Sequence, residues 1–400
     1  MKLLFYCQHV LGMGHFIRSA EIVRGLRNFD VTFLNGGVIV PGFDLPDEVD
    51  VVNLPPIQSD EEFRGIHAVD GERALEEVKR DRTERILAEY ERVRPDVLVI
   101  ELFPFGRLKF AFELMPLLER AKAAGTNIVC SLRDILVAKG KQQEFEEKAC
   151  RIANQYFDLL LIHSDPRFQR LEETFSNVAK IACPIRYTGF VTQTTDEVGL
   201  ENISDLDSNL TEGSGRSRFP PHIAEILVSI GGGRVGSELI DCAMDASLLL
   251  AEMLPHRMLI FAGPYMPEEE FGRLQAKAAA MPNVKLSQYT TRFLSHLKQA
   301  DLSISMAGYN TCMNILAAQS RAIVYPFTGG GNQEQTLRAE KLRALGILDV
   351  IHGDALTAAA LTGKIMATIG KPKPKAAALD LNGAEQTALA IAELVSKGAR

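Results

Sequence analysis

Apolar residues in this chain follow two alternating patterns. Short unbroken runs such as "KLLFYC" (2–7), "DVLVIEL" (96–102) and "DLLLIHS" (158–164) are separated by segments in which apolar positions recur every three to four residues. The runs predict strands buried on both faces of a parallel sheet, and the spaced segments predict amphipathic helices packed over it. In the first half the pattern predicts strands over 2–7, 31–34, 49–53, 96–101, 126–131 and 158–163, with helices over 16–28, 71–92, 108–123, 141–155 and 167–175. The second half starts again, with strands over 224–230, 257–263, 284–289, 301–306, 322–327 and 347–351 and a last amphipathic helix over 383–397.

Such alternation predicts an α/β chain of doubly wound domains. Between the halves, "TQTTDEVGLENISDLDSNLTEGSGRSRFPPH" is rich in Ser, Thr, Asn, Asp, Gly and Pro, and reads as a linker over 192–222. The expected division is therefore an N-terminal domain over 1–191, a C-terminal domain over 223–382 and a terminal helix over 383–400 that packs back on the first domain.

The turn after the first strand of each half is rich in glycine and leads into a helix. Gly12 and Gly14 occupy the first turn, and Gly231, Gly232, Gly233 and Gly236 the second. Glycine admits close backbone approach, and unpaired N–H groups at the helix start, with a partial positive charge of about half an electron, suit a phosphate. Residues 231–236 satisfy G-x-G-x-x-G, but the next strand ends "LIFAGPY" without the carboxylate that would hold an adenosine ribose, which argues against a nicotinamide dehydrogenase. "MAGYNTCMNILAA" (306–318) and "YPFTGGGNQEQTLRAEKL" (325–342) place two more glycine-bearing helix starts at the same sheet edge, with Asn310 and Thr311 as N-cap candidates in the first.

Composition narrows the classes. The 400 residues are 46% hydrophobic and 24% charged, with a formal net charge of -7, which argues against a nucleic-acid partner. Six scattered cysteines show no metal-ligand spacing and read as thiols of a reducing cytoplasm. No apolar run reaches the roughly 18 residues of a membrane span. "DLD" at Asp205 to Asp207 matches a metal-holding D-x-D pattern, but its polar surroundings read as plain linker. No metal and no cofactor is therefore expected.

Together, "GMGHFIRSAEI", "SIGGGRVGSEL", "GYNTCMNILAA" and "PFTGGGNQEQTLRAEKL" resemble the GT-B-type glycosyltransferases over nearly the whole chain. Within them the chain is similar to the transferases that add N-acetylglucosamine to lipid-linked peptidoglycan precursors, and to predicted bacterial glycosyltransferases of family 28 type. The resemblance implies the GT-B fold, with two Rossmann-like domains facing across a cleft. It also implies a nucleotide-sugar donor, a UDP-sugar above others, held by the C-terminal domain. Gly231, Gly232, Gly233 and Arg234 would contact the diphosphate, Gly308, Tyr309, Asn310 and Thr311 the phosphate and ribose, and Gln333, Glu334 and Gln335 the sugar. Asn314 stands where the family commonly has a ribose-gripping Glu, a departure that removes a charge.

The chemistry expected of such a cleft is metal-independent transfer of a hexose or N-acetylhexosamine to an acceptor hydroxyl with inversion. It needs a base and something to stabilise the departing diphosphate. Helix starts, Arg234 and Arg338 answer the second need. For the base, His15 at a helix N-terminus leads, and Glu101 and Asp134 (beside Arg133) are alternatives on the same edge; Arg18 lies one turn along the helix from His15. A nucleotide-sugar hydrolase or epimerase, or a non-catalytic nucleotide-sugar-binding protein, stays open. The acceptor is not named; "FPFGRLKFAF" (103–112) reads either as a buried loop and helix face or as contact for a lipid-linked acceptor at the inner face of the membrane.

Overall fold

Along β1 (Lys2–Cys7), Leu4 and Tyr6 enter one apolar cluster while Leu3, Phe5 and Cys7 enter another. Each strand of a sheet covered on both sides must divide its side chains in this way, because successive residues point to opposite faces. The computed structural model describes residues 1–10, 12–40, 42–59, 65–69, 71, 73–138, 140–193, 223–375 and 378–398.

In the first domain β1 is followed by α1 (Gly14–Gly25), β2 (Asp30–Asn35), β3 (Asp50–Asn53), a hairpin of β4 (Ile57–Ser59) and β5 (Ile66–Ala68), and α2 (Leu75–Val93). Then come β6 (Val97–Glu101), α3 (Ala111–Ala123), β7 (Asn127–Arg133), α4 (Gln142–Tyr156), β8 (Leu159–His163) and β9 (Ile185–Tyr187). The seven-stranded sheet is parallel throughout, in the order β3-β2-β1-β6-β7-β8-β9. The order reverses between β1 and β6, so the strand ends there open a crevice, the usual ligand position of such sheets.

The second domain repeats the plan. β10 (Ala224–Ser229), α5 (Ser237–Leu250), β11 (His256–Phe261), α6 (Glu268–Ala279), β12 (Val284–Ser287) and α7 (Phe293–Gln299) precede β13 (Leu302–Met306), α8 (Tyr309–Ala318), β14 (Ala322–Tyr325), α9 (Glu334–Ala344), β15 (Asp349–Val350) and α10 (Ala358–Ile369). Its parallel sheet runs β12-β11-β10-β13-β14-β15, with the reversal at β10 and β13. Ile226 and Val228 face a cluster that includes Leu239 and Ile365, and Leu227 faces the cluster of Leu297 and Leu316.

The chain then returns. α11 (Gly383–Gly398) packs against α1, and Ala390 and Ile391 join Leu3, Phe5, Val97 and Val99 in the first domain's core. The outgoing and returning crossings lie side by side: the Phe190 amide donates to Asp380 O at 2.7 Å, and the Gly383 amide to Phe190 O at 3.0 Å.

The expected helix over 167–175 is absent, and only Leu171–Glu173 form a short 3-10 turn. Side chains intercept the amides a helix would use: Arg167 N donates to Asp165 Oδ1 at 2.8 Å, Arg170 N to Glu173 Oε1 at 2.8 Å and Leu171 N to the Tyr187 hydroxyl at 2.8 Å. The three-residue strands β4, β5 and β9 were too short to leave a period of their own. All six cysteines are free thiols. Among the described residues no helix is long and apolar enough to cross a membrane. Asp205 and Asp207 lie outside the described residues.

Candidate active site

Both glycine turns reach the cleft and touch each other. A side chain at Gly232 would place its Cβ 3.6 Å from the Gly12 Cα, and Asn310 Nδ2 donates to Gly14 O at 2.9 Å. Three helix starts, those of α1, α5 and α8, therefore converge there. Gly233 has φ +90°, and a Cβ on it would lie 2.4 Å from Ala262 O, so the second turn accepts only glycine at this position. Asn310 does not cap α8 as expected. Gly308 holds the N-cap position, Asn310 spends its amide on the opposite domain, and Thr311 is half-buried in the first helical turn.

Beside the first turn stands a histidine paired with a carboxylate. His15 Nδ1 lies 2.7 Å from Glu101 Oε1, and Arg18 Nη2 donates to the same oxygen. Glu101 ends β6 and is fully buried, whereas His15 keeps 18% of its side-chain exposure. Burial alone would push the Glu101 carboxyl up, but His15, Arg18 and Arg107 outweigh it and bring it to about 2. Burial holds the His15 imidazole down at about 4 against the pull of Glu101. The carboxylate is thus ionised and can only accept, so Nδ1 carries the proton and Nε2 presents a lone pair. Burial, with contributions from Arg107 and Arg18, depresses this histidine.

The other acidic candidates are committed elsewhere. Asp134 is fully buried and receives Arg338 Nε and Nη2 at 2.7 Å each, across the two domains. This pairing engages both Asp134 oxygens, one of which also accepts from Ile135 N at 2.9 Å, and commits Arg338 to the interdomain contact, where the sequence reading had each facing a substrate. Glu101 shares its Oε1 between His15 and Arg18, while its Oε2 is buried without a hydrogen-bond partner among the described residues. Arg338 also reaches Glu334 Oε1 at 2.7 Å and Ala307 O at 3.2 Å, and Arg133 Nη2 meets Glu334 Oε2 at 2.6 Å. Glu334, expected at the sugar, is a buried member of this interdomain ion cluster.

Tyr309 is buried too. Its hydroxyl donates to His163 O and accepts from Val191 N, both at 3.0 Å, and the guanidiniums of Arg18 and Arg338 lie 5.2 and 5.6 Å from its ring centroid. It braces the interface, and its hydroxyl is committed there and not open to a ribose. Asn314 is 2% exposed and donates to Gln193 Oε1 at 2.5 Å, so the segment leaving the first domain covers it. Gln335 Oε1 accepts from Phe327 N at 3.1 Å, whereas Gln333 is exposed at the start of α9. Arg234 is half-buried with its guanidinium 5.7 Å from the Tyr265 ring, and its Nε is buried without a hydrogen-bond partner.

Two features escaped the sequence reading. Phe103, Phe105 and Phe110 of the aromatic stretch are at most 2% exposed and belong to the core, which agrees with the buried of the two readings of that stretch. Arg107, inside the same stretch, is half-buried and donates from Nε to Gln8 O at 2.9 Å, beyond the end of β1. Behind Glu101, His163 is fully buried between Ser131 Oγ (2.7 Å from Nε2) and Thr188 Oγ1 (2.9 Å from Nδ1), and burial lowers it to about 3. The unfolded chain takes up this proton first as pH falls below the ordinary 6.5, so the neutral ring supports folding fully above that pH and progressively less towards 3. Thermal melts are expected to show about 2 kcal/mol lost from this ring between pH 7 and pH 5. His163→Gln should flatten that slope, and an unchanged slope would assign it to other groups.

Residues 227–394 match the glycosyltransferase family 28 C-terminal domain. The chain is 26% identical over 187 residues to the UDP-N-acetylglucosamine–N-acetylmuramyl-(pentapeptide) pyrophosphoryl-undecaprenol N-acetylglucosamine transferase of Caulobacter vibrioides, a match covering 45% of this chain and 52% of the relative. The chain thus spans about half the length of the curated relatives it matches. Among solved structures it superposes on MurG of Acinetobacter baumannii (TM-score 0.55, 14% identity, 99% of each chain). It also superposes on UGT2 of Phytolacca americana, solved with UDP-2fluoro-glucose and pterostilbene (TM-score 0.59, 13% identity, 100% of this chain and 95% of that one).

Proposed function

Because residues 227–394 form a family 28 glycosyltransferase domain within a GT-B fold, we propose that the protein transfers a hexose or N-acetylhexosamine from a UDP-sugar to an acceptor hydroxyl, with inversion and without a metal. The observation that carries this reading is the His15–Glu101 pair, standing where the glycine turns of the two domains meet. His15 Nε2 takes the proton of the acceptor hydroxyl, and Glu101 steadies the imidazolium that forms. The freed oxygen attacks the anomeric carbon from the face opposite the leaving group, the bond from that carbon to the phosphate oxygen breaks, and the nucleoside diphosphate leaves with the electron pair. The N-terminal amides of α5 and the Arg234 guanidinium meet that charge. The lipid-linked acceptor in the name of the Caulobacter relative makes a polyprenyl-type acceptor at the inner membrane face the first to try.

Titration calorimetry with UDP, UDP-glucose and UDP-N-acetylglucosamine tests the donor half. No binding of any nucleoside diphosphate would end this reading, and release of free sugar at full rate without an acceptor would make the protein a hydrolase. Arg234→Ala is expected to weaken UDP binding by about 1.5–3 kcal/mol, the loss of a charge-assisted hydrogen bond. Unchanged affinity would remove Arg234 from the donor site.

A further inference from the structure

Arg18 is buried beside the His15–Glu101 pair with little to hold its charge. Its side chain is 2% exposed, its Nη2 donates to Glu101 Oε1, and its Nε has no hydrogen-bond partner among the described residues. Nη2 also lies 3.4 Å from His15 Nδ1. With the proton on Nδ1 both atoms are donors, so this approach repels. A guanidinium carries five N–H donors, and one shared carboxylate oxygen does not fix its plane.

What fixes it comes from the other domain. Arg18 Cζ stands 5.2 Å from the centroid of the Tyr309 ring, at the first position of α8, and a desolvated contact of this kind contributes about 2 kcal/mol. The ring is itself fastened. Its hydroxyl is tied to His163 O and Val191 N, Phe190 packs on it with centroids 6.2 Å apart, and Arg338, held by Asp134 and Glu334, lies 5.6 Å from its centroid. The Asn310 bond to Gly14 O joins α8 to the start of α1 a second time. A chain of direct contacts therefore runs from Tyr309 through Arg18 and Glu101 to His15.

We propose that Tyr309 and Arg18 are positioning residues for the His15–Glu101 pair: the ring supplied by the second domain seats the Arg18 guanidinium on Glu101, so the pair takes its working arrangement only where the two domains meet. The inference rests on the reading of His15 as the base. Seated there, Arg18 takes up part of the capacity of Oε1 and adds positive charge beside the imidazole, and both effects oppose protonation of the ring. Burial acts first in that direction and Arg107 assists, while Glu101 opposes; Glu334, on α9, is the further carboxylate whose charge couples to the ring. With the Tyr309 face gone, the guanidinium can turn to water and water can reach the imidazole, so the ring gains affinity for a proton. The base is then neutral and ready only with the second domain, the proposed carrier of the donor, in contact.

The test is an NMR titration of the histidine rings of the full chain between pH 5 and 8, with His15→Ala identifying the His15 signal. In the wild type that ring is expected to remain neutral down to pH 5. In Tyr309→Leu its midpoint should rise by at least one pH unit, a tenfold gain in proton affinity, and come into the titrated range. Tyr309→Phe keeps the ring and loses only the hydroxyl bonds, so it should titrate as the wild type does. Arg18→Gln, neutral and still able to donate to Glu101, should show the same rise as Tyr309→Leu and decides the point should that variant fail to fold; melting temperatures report which variants are folded. A His15 ring that stays neutral at pH 5 in Arg18→Gln and in folded Tyr309→Leu, a wild-type midpoint near 6.5, or a shift in Tyr309→Phe as large as in Tyr309→Leu would overturn the proposal, the last by assigning the effect to the hydroxyl bonds. Turnover by His15→Ala at the wild-type rate defeats the base reading alone, because the ring titration needs no substrate and still decides whether Arg18 and Tyr309 set the pair.

Discussion

His15→Ala is expected to lower kcat by about 10²–10⁴-fold, the usual contribution of a positioned general base. UDP affinity should stay within twofold, because the proposed donor contacts lie on the other domain, and the melting temperature should hold, since the ring is partly exposed and its one strong partner, Glu101, retains Arg18. The pH profile supplies the second readout. With the imidazole held at about 4, the base stays deprotonated well below the ordinary histidine range, so kcat should fall on the acid side near pH 4 and not near 6.5. Nucleoside diphosphate release from the turned-over sugar donor measures both. Wild-type turnover in the variant would remove His15 from the chemistry, and lost UDP binding at normal stability would make the first glycine turn a phosphate cradle.

Arg338→Ala should cost about 3–5 kcal/mol of stability, the penalty for leaving a buried charge without its partner. Asp134 and Arg338 are both fully buried, and the pair is the most enclosed ionic link between the domains. Removing both charges in Arg338→Met with Asp134→Ala should restore much of the loss, since neither ion then remains to be desolvated. Urea denaturation of Arg338→Met, Asp134→Ala and the double variant measures the coupling. Additive losses would show that the two side chains act independently and that the pair does not hold the cleft closed.

The strands were legible because burial on both faces leaves unbroken apolar runs such as "DVLVIEL", which no exposed segment can imitate. The glycine turns were legible for a local reason as well: tight strand-to-helix passage needs glycine within a few residues. Partnerships across the cleft leave no such trace. Asp134 and Arg338 are 204 positions apart, and nothing near either residue marks the other, so both read as free site groups when they are each other's counter-ion. Tyr309 and Asn314 misled in the same way, since their side chains are used up by Val191, His163 and Gln193 from the far side. His15 and Glu101 were each singled out, but the spacing of 86 residues hid that they form one unit. Arg107 was concealed by its aromatic neighbours, whose burial says nothing about the cations among them.

The return of α11 to the first domain changes the order in which the protein can be completed. Domains usually fold as units in the order of synthesis, the N-terminal one first. Here the face of the first sheet that carries Leu3, Phe5, Val97 and Val99 is closed in part by Ala390 and Ile391. Every strand of the second sheet has been synthesised by Val350, and its last helix, α10, by Ile369, before α11 exists. The core of the first domain is therefore complete only once α11 has been made, and until then the part of its apolar face that Ala390 and Ile391 cover stays open to water.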